Sequence, residues 1–390
     1  MTRKLVGRYT SAMRSAGPLL LALGLMAGLA HARGGGPLGG LTEAEVAQFK
    51  EGFDAFRTNL SRDQGLGPAY NLASCYPCHG HPALGGQSPK TVTRFGRLDG
   101  DVFSPLASAG GPLLQQKAIT SSCAEVVPAN ATVVIRRNAT SALGAGLIEA
   151  IPDQQILDRA AAERAENAAA AGRAAVVTGV SDGLAHVGRF GWKAQGALLV
   201  DFVGQAMVDE MGFTNALFPT EEAPNGDLAL LARCDLVPDP EDTTDFLYKV
   251  TRLLRFLSPP PQPTKVNDSV LRGEAVFNAI GCAFCHAAGY TAVSDNPAID
   301  GQHVDLYSDL LLHDVGTGDG IVQGNARGNE FRTPPLWLVR GSHPYLHDGR
   351  ARTVPEAIEA HQVQALDARA AYEGLSPADK NALVKFLRAR

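Results

Sequence analysis

Beyond its first thirty residues the sequence has no uncharged apolar run of the roughly 20 residues that a membrane-spanning helix needs, so stable membrane insertion is not expected. It also lacks an excess of either charge. Its 35 Lys and Arg against 40 Asp and Glu give a net charge of -5. Without a basic tract nucleic acid is excluded as a partner, and the acidic excess is too small to mark a cationic one. No strong β pattern stands out, which argues against an all-β fold. Methionine is scarce: five in all, of which only Met207 and Met211 lie beyond residue 26. Two tryptophans, Trp192 and Trp337, and six cysteines complete the list of rare residues.

The first residues do not read as part of the fold. Arg3, Lys4, Arg8 and Arg14 form a positive segment, and an apolar run from Leu19 to Ala30 follows. That run is too short to span a bilayer. Ala30-His31-Ala32 is an A-x-A cleavage site before a glycine-rich stretch. Residues 1–32 therefore read as a secretory signal peptide, cut after about Ala32, which directs the protein to the periplasm. The remaining length, about 355 residues, suits two domains.

The cysteines carry the strongest signal. Cys75-Tyr76-Pro77-Cys78-His79 and Cys282-Ala283-Phe284-Cys285-His286 both read C-x-x-C-H. Two thiols at this spacing add to the two vinyl groups of a haem, and the adjacent histidine ligates the iron. A redox dithiol or a shared four-cysteine zinc site would need no histidine after each pair. Export, which c-type attachment requires, agrees with two covalently bound haem c groups. Cys123 and Cys234 remain. In an oxidising compartment a disulfide between them is the simplest reading, and two buried free thiols are the alternative.

Each motif follows a helical pattern. Thr42 to Glu45 is a cap-like start, and Val46, Phe49, Phe53 and Phe56 recur at helical spacing. Val270, Ala275, Val276 and Phe277 lead into the second motif. Ser376-Pro377 opens a capped terminal helix. The alanine-rich stretch from Ile156 to Val177 reads as a mostly exposed helix. The proline-rich segment 258–263 is a linker. The expected fold is thus mainly α: two cytochrome c-like haem domains, residues 41–257 and 264–390, with long loops and an insertion in the first. The second domain has no methionine, so its haem cannot take one from its own domain. His303, His313, His343, His347, His361, a tyrosine or no sixth ligand at all remain open. For the first haem, His81, His186, Met207, Met211 or an open position are the candidates.

Stretches such as GLGPAYNLASCYPCHG, GRFGWKAQG, DEMGFTNALFP and FRTPPLWLVRGSHPYLHDGRARTVPEAIEAH resemble, in the same order, the di-haem oxidoreductase family, sometimes labelled peroxidase or "thiol oxidoreductase". This family is related to the bacterial di-haem cytochrome c peroxidases and the methylamine-utilisation di-haem enzyme. The resemblance implies a division of labour: one haem, usually the N-terminal one, meets hydrogen peroxide, and the other exchanges electrons with a small electron-transfer protein or protein substrate. In the relatives the sixth ligand follows an H-D-G triplet at fixed spacing. Here His361 follows His347-Asp348-Gly349, and the resemblance makes it the distal ligand. Glu210, in Asp209-Glu210-Met211-Gly212, matches the distal acid/base, and Trp192 the tryptophan between the haems. Arg332, Arg350 and Arg352 are candidates for haem propionates. Relatives hold a calcium ion partly through backbone carbonyls that match Ser342 and Pro344. The expected function is that of a periplasmic peroxidase-like oxidoreductase. A non-enzymatic di-haem electron carrier and a di-haem oxygenase are the alternatives. The thiol label finds no support, because the motif cysteines are committed to haem and the other two lack C-x-x-C spacing.

Overall fold

The computed structural model describes residues 34–261, 267–337, 339–341 and 344–390. Residues 1–33, with the expected signal peptide, Gln262 and Pro263 of the expected linker, Ser342 and His343 lie outside them. Helix α1 (Glu43–Arg57) begins at a capping box. Thr42 accepts from the Glu45 N–H at 3.3 Å, and Glu45 accepts from the Thr42 N–H at 2.7 Å. Two donors that the helix end would leave unpaired are thereby satisfied.

The chain then enters strands. β1 (Thr91–Asp99) pairs antiparallel with β2 (Val102–Ser104), β3 (Leu113–Leu114) and β4 (Val133–Asn138). With 36% helix and 14% strand the fold is mixed, which corrects the mainly α expectation. The strands escaped notice because polar side chains occupy buried positions. Arg94, Arg137 and Asn138 are all buried, and Arg137 meets Asp319 at 2.7 Å. A polar residue facing inward erases the apolar alternation that marks a half-buried strand.

Helix α2 (Ala145–Glu149) is followed by α3 (Asp153–Glu166), which buries Ile156 and Glu163. The alanine-rich stretch does not stay helical to Val177. Asn167 leaves the helical region, its side chain accepts from the Ala169 N–H, and a hairpin of β5 (Val176–Thr178) and β6 (Ala185–Val187) follows. Helices α4 (Leu199–Met211) and α5 (Phe246–Arg255) complete the first half. A Cβ on Gly52 of α1 would lie 2.3 Å from the Lys249 carbonyl of α5, so the two helices cross where only glycine fits.

The second half repeats this device. Helix α6 (Asp268–Ala279) and the terminal α8 (Pro377–Leu387) cross at Gly273, where a Cβ would lie 2.1 Å from the Ala382 carbonyl; the short α7 (Val354–Glu359) lies between them in sequence. Ser376 caps α8 and Pro377 takes its first position, as the sequence indicates. Phe277 packs 5.2 Å from Phe386. In each half an aromatic of the first helix reaches the motif histidine: Phe56 lies 6.3 Å from His79, and Phe277 lies 6.4 Å from His286.

One apolar core joins α1, α4 and α5, and also takes in Tyr290, Leu306, Leu310, Leu311 and Trp337 from beyond the linker. A second packs α6, α7 and α8. Cys123 and Cys234 form a disulfide with Cα atoms 6.1 Å apart. Among the described residues no helix is long and apolar enough to cross a membrane.

Candidate haem sites

The second motif begins on a tight turn, Cys282–Phe284. His286 donates from Nδ1 to the Tyr307 carbonyl at 2.9 Å. His361 follows α7 and donates from Nδ1 to the Ala357 carbonyl at 2.7 Å. A carbonyl can only accept, so in both rings the proton sits on Nδ1 and the Nε2 lone pair is free for a metal. Burial pushes His286 down to about 4 and also lowers His361, so both rings are neutral at pH 7. A charge on His361 would lower His286 further. The two imidazoles therefore sense one another, and both line one cavity of about 760 Å³.

This cavity meets the requirements of a haem. Its volume lies within the range of roughly 300–1,000 Å³ usual for cofactor sites. Phe277, Leu336 and Ile358 give it apolar walls. Cys282 and Cys285 line it as free thiols, and burial followed by the charge of Cys285 raises Cys282, while Cys123 and Cys234 are bridged. Arg332 also reaches the wall. It is buried, donates from Nε to the Gly191 carbonyl at 3.0 Å, and takes part in no ion pair among the described residues. Burial pulls it down to about 10. A buried guanidinium with no bonded carboxylate suits a propionate. Arg350 is instead paired with Asp348 at 2.5 Å, Arg352 donates its backbone N–H to Glu356, and neither lines the cavity.

At the first motif His79 donates from Nδ1 to the Gly86 carbonyl at 3.3 Å, which again frees Nε2. Cys75 and Cys78 are unbridged. Glu210 stands near the end of α4, where its carboxylate accepts from the Asn71 side chain at 2.8 Å and its backbone carbonyl from the Asn71 N–H at 2.8 Å. Burial and then the neighbouring Asp209 push it up to about 7. Its charge in turn raises both Cys75 and Cys78, so the carboxyl shares the surroundings of the first motif. Gly212, at φ +56°, docks the helix end: a Cβ there would lie 2.6 Å from the Ala69 carbonyl.

A family model described as "Di-haem oxidoreductase, putative peroxidase" matches residues 115–390. The chain belongs to this family. The matched segment holds the second motif, Trp192, Glu210 and His361; the first motif precedes it. A cytochrome c551 peroxidase from Nitrosomonas europaea is 31% identical over 98 residues, covering 24% of this chain and 27% of the relative, so the chain matches about a quarter of that protein's length. Among solved structures, the diheme peroxidase BthA from Burkholderia thailandensis has a TM-score of 0.44 at 16% identity, covering 88% of this chain and 85% of that one. A MauG-like protein associated with microbial copper homeostasis has a TM-score of 0.41 at 14% identity, covering 91% and 92%.

In this di-haem oxidoreductase Trp192 lies on the wall of the second cavity. Its Nε1 donates to the Asn138 carbonyl at 2.7 Å, and its ring meets His347 edge-on at 6.2 Å. Two short backbone paths lead from there to the first motif. Gly86 accepts from His79 while the next residue, Gln87, lines the cavity; Asn138 holds Trp192 while Thr140 lies against His79. Trp337 is buried and donates to the Asp305 carbonyl.

Of the other candidate ligands, His313 and His347 also line this cavity, whereas His303, His186, His81, Met207 and Met211 do not. His313 is buried and bonds Asp309 at 2.9 Å; burial lowers it, but Asp309 and Cys285 outweigh this and carry it up to about 11. His303 is exposed beside Asp305. His347 stacks on Phe331 at 4.0 Å, and its Nε2 is buried on the cavity wall without a hydrogen-bond partner. His186 is bonded to Asp182 at 2.9 Å on the β5–β6 hairpin, His81 is exposed, and Met207 and Met211 are buried in the first core. Of the two calcium positions, Pro344 lines the cavity and Ser342 lies outside the described residues. Sequence reasoning missed Arg159, which ties α3 to the motif by donating to the Phe284 carbonyl while holding Glu163 at 2.8 Å.

Proposed function

We propose that the protein is an exported, periplasmic di-haem peroxidase with one haem c on Cys75, Cys78 and His79 and another on Cys282, Cys285 and His286. When bound, these groups supply one-electron redox chemistry at iron and, at an open iron position, peroxide activation. The chain's own residues divide the work unequally. His286 and His361, both lining the second cavity as neutral imidazoles, would hold its iron, and Arg332 would offer a cation to a propionate. Glu210 belongs to the first site, where it stands with a raised pKa beside the attachment cysteines. That contrast carries the reading: two neutral imidazoles lining one cavity at one site, a titratable carboxyl at the other.

Reducing one hydrogen peroxide to two waters takes two electrons and two protons. Glu210 moves a proton from one peroxide oxygen to the other, which leaves as water; a group with a pKa near the working pH suits both halves of that transfer. Asn71 fixes the carboxylate's direction. Trp192 relays electrons between the two sites, and a small electron-transfer protein or protein substrate supplies them. The test is steady-state turnover of the Glu210→Gln variant with peroxide and an artificial donor. Turnover should fall at least about 100-fold with the absorption spectrum intact. Equal turnover removes Glu210 from the chemistry, and wild-type protein inert to peroxide removes the peroxidase reading.

A further inference from the structure

A group of carboxylates on the segment after α4 plays no part in either haem site. Oxygens of Glu221, Asp235 and Glu241 all lie within 4.8 Å of one another. Glu221 is 7% exposed and Glu241 6%. Both carboxylate oxygens of Glu221 are buried without a hydrogen-bond partner. Asp239 joins the group through the fully buried Thr214, whose hydroxyl donates to Asp239, lies 3.1 Å from a Glu241 carboxylate oxygen and accepts from the Glu241 N–H at 3.0 Å. The Thr214 N–H also donates to Glu241 at 2.8 Å. None of the ion pairs among the described residues involves any of these four acids.

Buried carboxylates that face each other without a counter-charge or a full set of hydrogen bonds are costly. A bound cation relieves both defects at once. The donors are all oxygen, which suits a hard ion. Calcium bonds oxygen at about 2.3–2.6 Å, so ligands on opposite sides lie about 4.6–5.2 Å apart, which accommodates the observed spread; magnesium, at about 2.0–2.1 Å, draws them closer. We propose that Glu221, Asp235 and Glu241 bind one calcium ion, with both otherwise unpartnered oxygens of Glu221 as ligands. The site is distinct from the calcium position that the family resemblance places at Ser342 and Pro344. Asp235 follows the disulfide-bonded Cys234, and Thr214 lies just past the end of α4. The ion thus pins the turn that leaves α4 to the disulfide-anchored segment.

The test uses the full-length, haem-loaded protein, stripped with EDTA and dialysed against radioactive calcium. Wild type should bind one more ion per chain than the Glu221→Gln/Glu241→Gln variant, with equal haem content in both. Equal calcium counts would overturn the proposal, and comparing counts keeps any calcium between the haems out of the result. Thermal unfolding gives an independent reading. Calcium should raise the wild-type midpoint by more than that of Glu221→Gln. A wild-type midpoint indifferent to calcium, with Glu221→Gln more stable in EDTA, would also overturn it. Should the double variant fail to load haem, manganese soaked into wild-type crystals decides: an anomalous peak among the three carboxylates supports the site, and its absence refutes it.

Discussion

Replacing Asn71 by alanine should shift the pH at which the protein reacts with peroxide without abolishing the reaction. The Asn71 side chain donates to the Glu210 carboxylate at 2.8 Å, a bond that favours the ionised form. Burial holds Glu210 at about 7 despite that bond. A hydrogen bond to a charged group contributes about 1.5–3 kcal/mol, and about 1.4 kcal/mol corresponds to one pH unit. Losing it should raise the midpoint by about one to two units. With the ionised carboxylate as the proposed proton acceptor, the rate should fall about tenfold per unit below the midpoint. At pH 7 the variant should therefore react about 5- to 50-fold more slowly than wild type, and should recover by about pH 9–10. Stopped-flow measurement of the second-order peroxide rate between pH 5 and 10 checks this. A loss of rate equal at every pH, or an unmoved midpoint, would show that Glu210 is not the titrating group.

The same carboxyl makes a stability prediction. Its folded pKa is raised, so folding is penalised as pH rises above the ordinary carboxyl value, and the penalty is complete above about 7; Glu210→Gln should unfold at a higher temperature than wild type at pH 8 and at an equal one at pH 4. His361→Met should remove a bis-histidine signature and raise the midpoint potential of one haem, seen by redox titration; an unchanged low-spin signal would dismiss His361 as a ligand. Trp192→Phe should slow electron exchange between the haems in stopped-flow spectra and leave their spin states alone. Serine at both Cys123 and Cys234 should cost about 2–5 kcal/mol in denaturant unfolding, since the bridge closes a loop of 111 residues.

Much of the site was legible because its chemistry demands fixed spacing. C-x-x-C-H leaves little freedom, and the relatives' spacing after the H-D-G triplet points to His361, which lines the same cavity as His286. The paired cysteines and the capped helices α1 and α8 were legible for the same kind of reason: local rules decide them. The sheet was not, because Arg94 and Arg137 turn inward and find partners far away in sequence, as Arg137 does in Asp319. Nor could spacing show that Arg332 rather than Arg350 or Arg352 reaches the cavity, since that depends on where folding carries each side chain. The end of α3 fell short of Val177 because Asn167 competes for the backbone, a polar preference that alanine content conceals. The acids after α4 carry no motif at all; only folding brings Glu221 to Asp235 and Glu241.

The proposed inequality of the two haem sites has a direct spectroscopic consequence. Low-temperature EPR of the oxidised, haem-loaded protein tests it most directly. One low-spin signal of bis-histidine type and one high-spin signal that changes on adding peroxide are predicted. Two low-spin signals, both indifferent to peroxide, would contradict the account.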